Sequence, residues 1–264
     1  MESTRRVKHY RGSTSEAARE YRQRGHDDAK VFALLLGLES DYQNDLQAKK
    51  DVIDPSGDAH SVKSGEKKWQ IFLYGLNRFE SDNIFKFLDG VGELLISCIN
   101  SFPTDFDDYQ RNKLMYKNKL QIPMFNLAQK LRNKSLLKAF ISKSMFNGSE
   151  VDYLTVFDKG VYHVFWGPEV VDVLSENFEV TNSQARTSGQ LDNQKVIFKY
   201  QDRNVGELEM RNDSSIHYRE IRFNMYKPKI MALLFEKIEK TSELGVAINV
   251  YGKASKKFGR WKNK

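Results

Sequence analysis

The apolar positions change period several times along the chain, and those changes divide it into elements. Ser13-Thr14-Ser15-Glu16 offers helix caps. The residues through Gln23 then read as a helix on which Glu16 and Glu20, four apart, share a face. Gly25 is expected to break it. Asp27-Asp28 opens a second helix over 29–36, with Val31, Phe32, Leu34 and Leu35 as its apolar side. Gly37 ends that helix, and a polar stretch runs to Lys50. Asp51-Val52-Ile53 is a short strand, Pro55-Ser56-Gly57-Asp58 a turn, and 59–63 a returning antiparallel strand. Strand side chains alternate faces, so Ser61 and Lys63 share one. Asp51 begins the first strand and Lys63 ends the second, which puts both at the open end of the hairpin. Asp54 and Asp58, in the turn, are expected to face solvent.

Ser64-Gly65-Glu66-Lys67-Lys68 reads as a basic loop and 69–79 as a helix. On that helix Gln70, Tyr74 and Asn77 fall at i, i+4 and i+7 and line one face. Ser81-Asp82 opens a strongly apolar helix over 83–101, read as core. After the acidic loop 105–108, residues 109–146 are helical and rich in lysine, and Pro123 is expected to divide them. Strand patterns follow at 151–157 and 161–166, joined by Asp158-Lys159-Gly160. A short helix is expected over 168–174. Residues 181–193 read as a polar loop containing Arg186. Three further strands are expected at 195–200, 206–212 and 217–225. In the last two, Glu207, Glu209 and Arg211 alternate with Leu208 and Met210, and Tyr218, Glu220 and Arg222 oppose Arg219, Ile221 and Phe223. Two such strands give a sheet with one charged face, on which cross-strand Glu–Arg pairing is the structural reading. A helix over 230–243, a strand over 246–251 and a tail complete the chain. The sequence shows no internal repeat, no P-loop and no Rossmann glycine pattern.

Composition adds limits. The 264 residues are 40% hydrophobic and 12% aromatic, enough for a large core. No apolar run approaches the ~18 residues of a membrane span. The basic N-terminal residues 1–11 lead into no apolar signal-peptide segment, so an intracellular, cytoplasmic protein is expected. The single cysteine, Cys98, excludes an intrachain disulfide and suits core packing. Forty-two basic residues against 35 acidic ones give a net charge of +7, which suits a polyanionic partner. The tail 253–264 carries six of those basic residues with Phe258 and Trp261 between them and no acid. That composition suits either a nucleic-acid contact or a frayed terminus.

The hairpin and the segment after it resemble the PD-(D/E)XK nuclease superfamily, the core of many type II restriction endonucleases. In that family an acid opens one strand and Glu-x-Lys lies on its antiparallel neighbour. Asp51 matches the acid, and Ser61-Val62-Lys63 matches the second element, with serine in place of glutamate. Gln70-Ile71-Phe72-Leu73-Tyr74 matches the Gln-x-x-x-Tyr found on the next helix in some branches. Glu16, Glu20 and Asp28 are candidates for the acid on a preceding helix. The match covers about residues 13–80. Restriction enzymes with Ser-x-Lys take the missing carboxylate from the following helix, and Glu80 is the acid available there.

The resemblance implies an α/β fold with a mixed central β-sheet flanked by helices, and a single domain over 1–264. Within it 13–101 would be the catalytic core, 103–147 a helical segment, 149–252 a second sheet region for DNA recognition, and 253–264 a basic tail. The implied activity is Mg²⁺-dependent, sequence-specific cleavage of double-stranded DNA by a homodimer. Asp51 would bind the metal with Glu80 or Glu20. Lys63 would stabilise the phosphate, Ser61 hold a metal-bound water, and Gln70 position water or phosphate. The residues proposed to touch DNA are Arg186, Glu209, Arg211, Asn212, Arg219 and Arg222. A repair or recombination nuclease of the same fold, and a non-catalytic nucleic-acid-binding protein, are the alternatives.

Overall fold

The computed structural model describes residues 15–39, 51–212 and 214–263, with the backbone alone for residues 15–22, 24 and 263. The basic arm 1–12, the caps Ser13 and Thr14, and the polar stretch to Lys50 lie mostly outside the described residues. The protein is α/β, with a six-stranded mixed sheet and a five-stranded antiparallel sheet in place of the one central sheet expected.

The chain begins with α1 (Ser15–Leu35), a single helix. It runs through Gly25 and Asp27-Asp28, where a break and a new start were expected. One internal glycine costs about 1 kcal/mol. Ala29, Phe32, Ala33 and Leu36, spaced at i, i+3, i+4 and i+7, offset that by packing on the first sheet. Val31, Leu34 and Leu35 are exposed, so the apolar side was placed correctly only at Phe32.

The hairpin forms as read: β1 (Val52–Ile53) pairs antiparallel with β2 (Ala59–Lys63). The next segment does not. Residues 69–79 contain β3 (Lys68–Tyr74) and then the short helix α2 (Leu76–Ser81). Trp, Ile, Phe and Tyr suit a strand, and alternation buries Trp69 and Ile71 while Lys68 and Gln70 are exposed. Gln70 and Tyr74 therefore do not share a helix face.

The expected core helix over 83–101 divides into α3 (Asn83–Lys86) and α4 (Val91–Asn100). Asp89 and Gly90 between them take φ of 42° and 80°, left-handed values no helix continues through. α5 (Phe106–Arg111) replaces the acidic loop and is capped by Asp105. α6 (Lys113–Leu131) contains Pro123 without ending there, and the division from α7 (Lys134–Phe146) comes at Asn133, which caps α7.

The remaining chain holds two consecutive ββαββ units. The first is β4 (Tyr153–Asp158), β5 (Val161–Trp166), α8 (Gly167–Asn177), β6 (Glu179–Asn182) and β7 (Lys195–Tyr200). The second is β8 (Arg203–Met210), β9 (Ile221–Tyr226), α9 (Lys227–Lys237), β10 (Lys240–Leu244) and β11 (Ile248–Tyr251). Both helices are 11 residues long, follow an aromatic cap (Trp166, Tyr226), carry proline in the first turn, and run directly into a strand. This similarity escaped the sequence because the identities are few. It also shortens the helix expected over 230–243, moves β8 ahead of Arg211 and Asn212, and places 217–220 in a turn before β9.

The two units exchange strands. The first sheet runs β1-β2-β4-β5-β11-β10 and the second β3-β9-β8-β7-β6. Each unit's first hairpin thus shares a sheet with the other unit's second hairpin. In the first sheet, β2 pairs parallel with β4 and β5 parallel with β11. One core joins both sheets and the helices: Leu154, Val156 and Phe165 from the first sheet, Phe72, Phe198, Leu208 and Phe223 from the second, and Leu95, Leu127, Phe140 and Leu234 from helices. Cys98 is buried there, as expected. The opposite face of the first sheet is covered by α1 and by the C-terminal segment, whose Ala254 and Phe258 are buried. The tail is therefore folded onto the sheet, in 3-10 turns over Gly252–Lys256 and Arg260–Asn263. Among the described residues no helix is long and apolar enough to cross a membrane.

Candidate functional site

The hairpin brings Asp51, Ser61 and Lys63 together at one end. The Asp51 backbone N–H donates to the His60 carbonyl at 2.9 Å. Its carboxylate Oδ2 accepts the Val62 backbone N–H at 2.7 Å and lies 3.5 Å from Ser61 Oγ. Ser61 is buried and Lys63 half-buried. Both line a small hollow with Ile71, Met145 and Leu154, because their strand face turns toward the core between the sheets. Among the described residues the Lys63 side chain makes no hydrogen bond or ion pair, while its backbone pairs with β4.

The turn end of the hairpin differs from expectation. Asp54 and Asp58 are buried at 3% and 6% exposure. Asp54 Oδ1 accepts the backbone N–H groups of Ser56 and Asp58, the pattern that closes a tight aspartate turn. Its Oδ2 lies 3.5 Å from Nε2 of His60, which is fully buried. Nδ1 of His60 lies 2.8 Å from Thr155 Oγ1, and the ring stacks on Tyr153. Asp58 accepts from Tyr153 and is ion-paired with Lys257 of the C-terminal segment. Burial holds the His60 imidazole below its ordinary pKa, against the hydrogen bond that Asp54 accepts and the charges of Asp54, Asp58 and Asp152. The cluster is sealed, so it locks the hairpin to the sheet and tail. Nothing in the local sequence marked it, because its members come from four elements.

The charged face of the second sheet forms in part as predicted: Glu207, Glu209 and Arg222 lie on it, whereas Arg211, Tyr218 and Glu220 fall outside the strands. Register places Lys68 opposite Tyr226, Gln70 opposite Asn224 and Leu73 opposite Arg222. Across β8, Asn224 meets Glu207 and Arg222 meets Glu209, and Glu209 in turn meets Lys195 of β7. Glu207 is 6% exposed and takes Lys68 at 3.0 Å, Lys195 at 2.8 Å and Tyr226. Burial opposes its charge, but these donors outweigh it and draw its pKa down to about 2. Glu209 accepts Arg222 at 2.6 Å and is also bonded to Lys195. Glu209 and Arg222, two of the predicted DNA contacts, are thus each other's partners. The alternation in Ile-Arg-Phe-Asn-Met-Tyr was the available signal for Asn224 and Tyr226, which the sequence reading passed over.

The other candidates are dispersed. Arg219 lies in the turn before β9 and donates to Asn100 Oδ1 at 3.2 Å. Arg211 and Asn212 lie just past β8, and the Arg211 N–H donates to the Glu220 carbonyl. Arg186 is exposed in the loop after β6, which Asp192 and Gln190 brace through the Ala185 and Arg186 N–H groups. Gln70 belongs to the second sheet and Glu80 is exposed on α2. The side chain of Glu20 lies outside the described residues.

A resident Mg²⁺ needs several oxygen ligands, usually including one or two carboxylates. Among the described residues no three of His, Cys, Asp and Glu gather as a metal group. One oxygen of Asp51 already serves the Val62 N–H. The described residues by themselves therefore do not fit such an ion. No protein-family model, curated protein or solved structure matches the chain.

Proposed function

We propose that the protein binds DNA and cleaves its phosphodiester backbone as an endonuclease, at the open end of the β1–β2 hairpin. The observation that supports this is Lys63. It is half-buried near the open end of the hairpin, lines the hollow with Ser61, and its side chain has no partner among the described residues. A partly desolvated cation without a counter-charge is costly. A phosphate oxygen is a partner that fits it. Lys63 then holds the scissile phosphate, and the Asp51 carboxylate, with the buried Ser61 hydroxyl behind it, lies at its side.

A second reading, DNA binding without cleavage, is favoured by Ser61, which stands where a carboxylate would complete a metal-binding pair. Incubation of supercoiled plasmid with Mg²⁺ or Mn²⁺ separates the two. Nicked or linear product that falls about 100-fold in Asp51→Ala and Lys63→Ala supports cleavage at this site. Cutting at wild-type rate by both variants removes the site assignment. A gel shift without cutting, weakened in Lys63→Ala, supports the second reading. Neither shift nor cutting refutes both.

A further inference from the structure

We propose that the charged face of the second sheet binds single-stranded nucleic acid, with Gln70 and Asn224 contacting its bases and Lys68, Lys195 and Arg222 supplying charge. This goes beyond cleavage at the hairpin and concerns different residues.

The two amides carry the inference. Asn224 is only 6% exposed, yet its side chain makes no hydrogen bond to any described residue. Gln70, exposed and also without a side-chain partner among the described residues, sits directly opposite on the adjacent strand. Every ionic neighbour on this face is paired: Glu207 with Lys68 and Lys195, Glu209 with Lys195 and Arg222. Neither amide is tied up by a described neighbour, so both are open to a ligand laid across the two strands. Each amide offers two donors and an acceptor, which is the complement of a base edge.

Charge and shape specify the ligand. Three cations meet two carboxylates, which leaves the face net positive. On the β7 side it continues to Lys117, half-buried and without an acidic partner among the described residues. Burial, then Lys113 and Lys195, hold the Lys117 ammonium below its ordinary pKa. A bound phosphate relieves that crowding. Five strands about 4.8 Å apart span about 19 Å. The major groove of DNA is about 12 Å wide and admits two strands. A face this broad cannot enter the groove, so the bases it contacts must be unpaired.

The test is fluorescence anisotropy with labelled oligonucleotides of about 20 nucleotides, longer than most single-strand sites. Single-stranded DNA, single-stranded RNA and duplex DNA are the three arms, and the two single-stranded arms identify the sugar. Single strands are expected to bind at least tenfold tighter than duplex. The double variant Gln70→Ala/Asn224→Ala is expected to lose about tenfold in single-strand affinity. Neither side chain has a hydrogen-bond partner to lose among the described residues, so the melting temperature is expected to fall by no more than a few degrees, the packing loss at Asn224. The salt dependence also stays, because every charge is retained. Duplex bound as tightly as single strands overturns the proposal, as does wild-type single-strand affinity in the double variant. Neither result bears on cleavage at Asp51 and Lys63.

Discussion

His60 makes the stability of the hairpin depend on pH in a direction that can be worked out. The ring is fully buried among Phe32, Tyr153 and Phe258 and sits between Thr155 and Asp54. Asp54, Asp58 and Asp152 are the charged groups that raise its proton affinity, and burial outweighs them. Its folded pKa therefore lies below the ordinary 6.5. Above 6.5 the imidazole is neutral in both states and contributes no pH dependence. As pH falls from 6.5 toward the folded pKa, the unfolded chain takes up a proton that the folded chain refuses. Stability then falls by about 1.4 kcal/mol per pH unit from this group. For a chain of this size that is about 3–6 °C in melting temperature per unit. His60→Gln keeps a polar partner for Thr155 and Asp54 but cannot titrate. Its packing loss lowers the stability near neutrality by about 1–2 kcal/mol, and the melting temperature with it. Differential scanning calorimetry of both proteins between about pH 7.5 and 5.5 is expected to show that gap closing as pH falls. His163, whose pKa burial also lowers, is present in both proteins and cancels in the comparison. A gap that stays constant over the range refutes the reasoning.

Two other perturbations follow from burial. Lys143 and Asp82 are 5% and 6% exposed and 2.7 Å apart, and Asp82 also caps α3 through the Ile84 N–H. Asp82→Asn keeps an N-cap side chain but leaves the buried ammonium with Asn147 and no counter-charge; it is expected to cost about 3 kcal/mol in urea unfolding, and adding Lys143→Met is expected to recover part of it; no recovery would mean that the buried charge is not the source of the loss. Deleting residues 253–264 removes Phe258 from the core and Lys257 from Asp58. It is expected to cost about 3 kcal/mol, and an unchanged melting temperature would restore the free basic tail.

Local pattern was enough where neighbours in sequence decide the outcome. The β1–β2 hairpin was legible because Pro55 and Gly57 demand a turn between β-branched residues. The β4–β5 loop was legible because Lys159 and Gly160 take the positive φ of 50° and 85° that such a turn needs. The charged face followed from the alternation in β8, and the core role of Cys98 from its apolar surroundings. Tertiary structure decided the rest. Gln70 became a strand residue because β9 was there to pair with Trp-Gln-Ile-Phe-Leu-Tyr, and a six-residue aromatic run does not choose its period alone. α1 crosses Gly25 because the first sheet buries Phe32 and its neighbours. Asp54, Asp58, His60 and Lys257 form one cluster although Asp58 and Lys257 are 199 residues apart. The exchange of strands between the two ββαββ units rests on the β7–β8 hairpin, which is local, and on the parallel pairing of β5 with β11, which no local window contains. The sequence by itself determined where the chain turns and which residues alternate. Long-range pairing and burial determined which of those residues meet, and that left Lys63 and Asn224 without partners among the described residues.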